Sequence, residues 1–187
     1  MGVAFCRQLF EAIAKNMRKD SSYMEREAMR VEIERRFLVC DDRWNTGAAG
    51  QVVRQGYLSA RDGVTVRVRR IGALGFLTIK GPRSGIVRPE FEYAIGCDEA
   101  DFMLENLCRK PLIKKIRYTI DYFGVTWTVD VFQEDFQGLV IAECELTNMD
   151  EVTAKPPWIG PEITEDERYR NSRLAEHGTD LMIYINI

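Results

Sequence analysis

The residues that could do chemistry come as like-charged side chains spaced two apart. Glu32 and Glu34, Glu90 and Glu92, and Glu143 and Glu145 form carboxylate pairs, while Arg67 with Arg69 and Lys115 with Arg117 form cationic ones. Arg36, Lys80, Arg88 and Asp130 stand in similar stretches. Carboxylates without His or Cys partners suit hard divalent ions such as Mg2+ or Mn2+ better than zinc. Clustered Arg and Lys suit phosphoryl oxygens, Arg through its bidentate fork. Together the two sets suit an anion bridged to divalent cations, and a linear chain of phosphates has that size and charge.

The spacing is that of β-strands, in which alternate residues share a face. Eight segments carry it: "VEIERRFLV", "QVVRQGYLSA", "GVTVRVRRI", "GFLTIKG", "GIVRPEFEYAI", "LIKKIRYTIDYF", "GVTWTVDVFQ" and "LVIAECELT". In the third, Thr65, Arg67 and Arg69 oppose three valines. In the seventh, Thr126, Thr128 and Asp130 oppose Trp127, Val129 and Val131. One such strand would simply face water on its charged side. Like charges repeated at this spacing in strand after strand repel one another unless something compensates them, so the charged faces are expected to line an interior. Turn signals such as "RDG", "GALG", "GPRSG" and "YFGV" separate several strands. The expected fold is mainly β (α+β): eight antiparallel strands in a closed barrel or a sandwich, with a few flanking helices.

"CDEADFMLENLCRK" reads as a helix with Asp98 as N-cap and Met103, Leu104 and Leu107 as its buried stripe. A Pro-rich loop, "KPPWIGPEITEDERYRN", leads to a short helix near Asn171 to His177. Residues 1–30 read as a helical extension and linker, with Phe5, Leu9, Phe10, Ile13 and Met17 at helical spacing. Residues 31–187 are expected to form the single domain.

The net charge of −3 argues against broad binding to nucleic acid or anionic membrane. Five scattered cysteines without a C-x-x-C pair fit reduced thiols in a cytoplasmic protein. No apolar run approaches the length of a membrane span. A homodimer is a candidate assembly.

"EIERRFLV" resembles the opening E-x-E-x-K signature of the CYTH domain, or triphosphate tunnel metalloenzyme, superfamily. "RQGYL", "VRVRR", "LTIKG", "RPEFEY", "KIRY", "VDVF", "AECEL" and "EITEDERYRN" follow in that family's order. The resemblance covers roughly residues 31 to 176 and is nearest to small bacterial inorganic triphosphatases. It implies an eight-stranded antiparallel closed barrel whose tunnel is lined by charge. It further implies that Glu32, Glu34 and Glu145 are metal ligands, and that Asp130 and Glu143 help hold metal or orient the attacking water. Arg67, Arg69, Lys80, Lys115 and Arg117 resemble phosphate-gripping cations, and Tyr57 a tyrosine near the reacting phosphate. Lys115, Tyr57, Asp130 and Glu143 make up the expected catalytic set. Arg168 and Arg170 both fall in the closing segment, which leaves open which of them faces the tunnel. Position 36 is Arg where the signature has Lys. Arginine keeps its charge when buried. Arg36 is a tolerable replacement if that position only neutralises phosphate charge, and hydrolysis is slowed or altered if it acts with the tyrosine in positioning or deprotonating water.

The expected reaction is metal-dependent hydrolysis of triphosphate, or a related triphosphate compound, to pyrophosphate and phosphate. Two alternatives remain: a class IV-type adenylate cyclase, for which no purine-recognition element is visible, and a non-catalytic polyphosphate-binding module. His177 is expected at the surface, Trp127 and Phe132 in wall packing, and Trp158 as a pin for the Pro-rich loop.

Overall fold

Alternation of period two over most of the chain gives strands that bury one face against an outer layer and turn the other inward. The computed structural model describes residues 31–148, 151 and 154–180. The expected extension at 1–30 lies outside the described residues. The elements are β1 (Val31–Val39), β2 (Gln51–Arg61), β3 (Val64–Ile71), β4 (Leu74–Lys80), β5 (Val87–Ile95), α1 (Cys97–Asn106), β6 (Ile113–Tyr122), β7 (Val125–Phe132), β8 (Val140–Glu145), β9 (Ile159–Glu162) and α2 (Asn171–His177).

The sheet runs β5-β4-β3-β2-β6-β7-β8-β1-β9, and β1 also pairs with β5, so the first eight strands close into an antiparallel barrel. Closure depends on β1 dividing its pairing. Val31–Ile33 lie against Val87–Pro89 of β5. Glu34–Leu38 lie against Ile141–Glu145 of β8. Phe37 and Val39 meet β9.

Strand β9 is absent from the sequence reading, which placed Ile159–Glu162 in a loop. Gly160 and Pro161 made it read so, yet Pro is tolerated on an edge strand where no ladder donor is required. Docking rests on neighbouring contacts: Arg35 pairs with Glu162, Arg36 N–H donates to Thr164 Oγ1 at 3.0 Å, and Ile163 N–H donates to the Arg36 carbonyl.

Three apolar clusters surround the polar interior. Phe37, Trp44, Trp127, Val129, Ala142, Cys144 and Trp158 pack the outer face of β1, β7 and β8. Trp127 is fully buried with its ring centroid 5.9 Å from that of Trp158, so Trp158 does pin the Pro-rich loop. Helix α1 covers Val68 with Ala100 and Leu104. Gly56 is required beneath the segment that follows α1, because a Cβ there would lie 2.7 Å from Cys108 and Leu112 side-chain atoms. The third cluster, with Ile113, Phe132, Phe136, Leu139, Ile141 and α2 residues Leu174 and Ala175, includes Tyr57.

Two local expectations for α1 are corrected. Its N-cap is Gly96, not Asp98, because the Glu99 carboxylate reaches back to accept the Gly96 N–H at 2.8 Å. Leu107 is exposed rather than buried, since the helix ends at Asn106 and Leu107 follows it out of the stripe. His177 lies at the end of α2 with its side chain half exposed.

Candidate active site

The inward faces of the barrel enclose a cavity of about 450 Å3. Eight cationic and six carboxylate side chains line it, together with Tyr57. Strand register explains how they meet. Glu34 is directly opposite Glu145, and Arg36 opposite Glu143. Glu32 is opposite Arg88, Lys80 opposite Glu90, and Tyr57 opposite Arg67. Cross-strand neighbours of this kind stand about 5 Å apart at Cβ, so opposite charges pair and like charges must find other partners.

The carboxylates meet that requirement unequally. Glu32 accepts from Lys80 Nζ at 2.6 Å, yet its second oxygen, Oε2, is buried with no hydrogen-bond partner. Glu34 is bonded by Arg83, and Arg36 Nε lies 3.9 Å away. The Glu145 carboxylate has no hydrogen-bond or ion-pair partner among the described residues. Burial, and then its neighbours Glu32, Glu90 and Glu34, push its carboxyl above the ordinary value. These three oxygen donors fit a hard divalent ion in chemistry: one has an orphaned oxygen and one is repelled by the others. Their arrangement is not yet that of a metal clamp, because among the described residues no three or more His, Cys, Asp or Glu side chains converge as a metal-binding cluster. Glu32 and Glu34 are drawn off by Lys80 and Arg83.

On the cationic side, Arg67 donates to Thr78 Oγ1 and lies within 3.3 Å of Glu92, and Arg69 bonds Glu92 at 2.8 Å. Burial and the adjacent Arg67 lower Arg69 to about 10, so it is ionised at neutral pH and short of counter-charge. Arg117 bridges Asp130 and Glu143 at 2.7 and 3.0 Å. Burial opposes its charge, but those carboxylates more than compensate and hold it above the ordinary value. Arg36 is buried, with Nη1 donating to the Tyr169 carbonyl at 3.2 Å and Nε and Nη2 without a hydrogen-bond partner.

Tyr57 sits where the apolar cluster meets the cavity. Its oxygen accepts from Gln55 Nε2 at 3.3 Å. Burial pushes the phenol up to about 12, against the pull of Arg67, Arg88 and Arg36. It is therefore a proton donor in a hydrogen bond at neutral pH.

Lys115 and Asp130 take a different place from the rest of the expected site. Both are only 1% exposed and absent from the cavity lining. Lys115 Nζ is 2.5 Å from Asp130 Oδ2 and 5.3 Å from the Phe132 ring centroid. Both Asp130 oxygens are committed to Lys115 and Arg117. Burial raises the Asp130 carboxyl, but Lys115 and Arg117 outweigh burial and hold it below the ordinary range. Asp130 is thus placed to fix Arg117 rather than to reach a water in the cavity.

Arg83, Arg88 and Arg170 also line the cavity. The alternation of "RPEFEY" puts Arg88 on the charged face, but Arg83 lies in the "GPRSG" turn, where no periodicity can point it inward. Of the two closing-segment arginines, Arg170 lines the cavity, whereas Arg168 pairs with Asp166 at the surface.

The CYTH domain family matches residues 30–176. The chain belongs to the CYTH family. Curated relatives of this CYTH protein include an inorganic triphosphatase from Acetivibrio thermocellus, 46% identical over 149 residues, covering 80% of this chain and 96% of the relative. Another inorganic triphosphatase, from Nitrosomonas europaea, is 36% identical over 150 residues, with 78% and 97% covered. A crystal structure of an inorganic triphosphatase superposes on this CYTH barrel with a TM-score of 0.58 at 32% identity, covering 77% of this chain and 97% of that one. Among the described residues, no helix is long and apolar enough to cross a membrane.

Proposed function

We propose that the protein hydrolyses inorganic triphosphate to pyrophosphate and phosphate inside the barrel, using Mg2+ or Mn2+. The observation that carries this reading is the barrel cavity in which cations and carboxylates face each other across the strands. Relatives named inorganic triphosphatases support it.

Arg67, Arg69, Lys80 and Arg117 grip the phosphate chain, and Arg36 adds a fixed positive charge. Stabilising charge on transferring phosphoryl oxygens is where most of the catalysis of such reactions lies. Glu32, Glu34 and Glu145 would hold the divalent ion, which supplies Lewis-acid polarisation of the phosphate and offsets developing charge. Tyr57 donates a hydrogen bond to a phosphoryl oxygen. Glu143, in the cavity and bonded to Arg117, orients a water for in-line attack. Lys115 and Asp130 hold Arg117 from the wall.

The test is phosphate release from triphosphate, ATP, thiamine triphosphate and long-chain polyphosphate, with Mg2+ and with Mn2+. Release from triphosphate is expected. Failure to release phosphate from triphosphate with either metal would overturn the reading, and cyclic AMP formed from ATP would replace it.

A further inference from the structure

Arg83 is a side chain in the cavity whose position neither strand periodicity nor the proposed reaction explains. It projects from the turn between β4 and β5, whose backbone is tightly fixed. Ser84 and Val87 exchange two hydrogen bonds, Gly81 N–H donates to Pro89, and the Arg88 guanidinium donates twice to the Gly81 carbonyl. What the turn holds rigid is the Arg83 backbone, while the long side chain meets Glu34, whose N–H donates to the Ile86 carbonyl of the same turn at 3.4 Å.

That contact leaves the guanidinium poorly satisfied. Only Nη2 meets Glu34; Nε and Nη1 are buried with no partner. An unsatisfied buried donor costs about 1–3 kcal/mol, more when it belongs to a charged group. Like charges surround it as well. Burial first, and then Arg83 among their neighbours, lowers the proton affinity of both Arg88 and Arg170. A second cavity of about 280 Å3 adjoins the first and shares Arg83, Arg88 and Arg170 with it. Arg83 therefore stands at the junction with spare donors, repelled by two neighbours and retained by one carboxylate.

Resting on the triphosphatase reading, we propose that Arg83 guards Glu34 in the free protein and becomes a phosphate ligand when the polyanion arrives. Phosphoryl oxygens offer its three nitrogens the acceptors that Glu34 alone does not. Once Arg83 turns to phosphate, Glu34 is released to the divalent ion beside Glu32 and Glu145. Lys80 and Glu32 follow the same exchange on the other side of the clamp. The divalent ion and triphosphate then bind with positive coupling, since each takes one partner of an ion pair that the other leaves.

The experiment uses the full chain and Arg83→Met, which keeps an unbranched apolar stem and removes charge, with Arg83→Lys as the conservative partner. Mn2+ is titrated without phosphate, following loss of the free-ion electron paramagnetic resonance signal, and KM for triphosphate is measured separately. Arg83→Met is expected to bind Mn2+ about tenfold more tightly and to raise KM about tenfold, the equivalent of one charge-assisted hydrogen bond in each case. Arg83→Lys should fall between. Adding Glu34→Gln should erase the gain in Mn2+ affinity. Unchanged or weaker Mn2+ binding by a folded Arg83→Met overturns the inference, whatever the wild-type chain does with triphosphate. Absent turnover by the wild-type chain overturns the triphosphatase reading and leaves the Mn2+ titration to decide the role of Arg83.

Discussion

Glu34 of β1 and Glu145 of β8 are directly opposed cross-strand partners, two carboxylates in register where sheet pairing ordinarily favours opposite charge. Glu34 escapes the repulsion through Arg83, and Glu145 has no such relief. On the proposed function, keeping this pair trades stability for a place to hold a cation.

Replacing Glu145 with Gln should therefore separate function from stability. Mn2+ affinity is expected to fall by about 100-fold, at or beyond what loss of an outer partner of a metal site costs. The melting temperature of the metal-free protein should hold or rise, because a like-charge contact is gone. A calorimetric scan in chelator showing a clear drop would argue that Glu145 serves the fold.

On the proposed function, Tyr57→Phe removes the hydrogen bond that the phenol donates to a phosphoryl oxygen. A loss in kcat of about tenfold or more is expected, by the worth of a hydrogen bond to a charged acceptor. Since burial pushes the phenol up to about 12, the wild-type pH–rate profile should show no limb from phenol ionisation below about pH 10. A limb near pH 8 that vanishes in Tyr57→Phe would make the tyrosine a base.

For Arg36, charge is expected to matter more than shape. Arg36→Lys gives up the bond to the Tyr169 carbonyl but keeps a cation, and kcat/KM should fall by less than about tenfold. Arg36→Met should lose about 100-fold, the range found when a single charge-stabilising donor is removed. If Arg36→Lys turned over triphosphate while the wild-type chain only bound it, the protein would be a binding module.

Asp130→Asn leaves Lys115 buried beside a neutral partner. A loss of about 3–5 kcal/mol at neutral pH is expected, as for one half of a buried ion pair. The sign of the pH dependence follows from two opposite shifts. The depressed Asp130 carboxyl contributes stability above the ordinary carboxylate range that is lost as pH falls through its folded value. Burial draws the Lys115 ammonium from 10.5 down to about 8, against the pull of Asp130. The folded chain thus binds fewer protons than the unfolded chain across that interval, and this contribution rises with pH there. The variant's deficit should shrink between pH 7 and 10, as Lys115 becomes free to lose its proton. Urea unfolding at pH 5, 7 and 9 with a constant deficit would contradict this.

Eight strands and most of the cavity wall were legible in the sequence because a period of two leaves only one side for Arg67, Arg69, Lys80, Glu143 and Glu145. Periodicity assigns a face and says nothing of depth. It could not tell that Lys115 lies behind Arg117, sealed against Phe132, while Arg117 itself reaches the cavity. Arg83 was invisible because its direction is set by a turn, and Gln55 because a neutral side chain on a charged face carries no signal. Strand β9 was hidden by Gly160 and Pro161, residues whose local preference is overridden by pairing to the edge of β1.

The division of β1 between β5, β8 and β9 has a consequence for how sequence change can be tolerated. Side-chain facing in a strand inverts with a slip of one residue. Here such a slip would send Glu32, Glu34 and Arg36 outward against Trp127 and Trp158 and bring Ile33 and Phe37 among the charges. Three separate partners would all have to yield at once for that to happen. An insertion or deletion within β1 is therefore expected to be lethal to the fold, whereas an insertion in the turn at Asp62 and Gly63, between β2 and β3, would alter only the length of a loop.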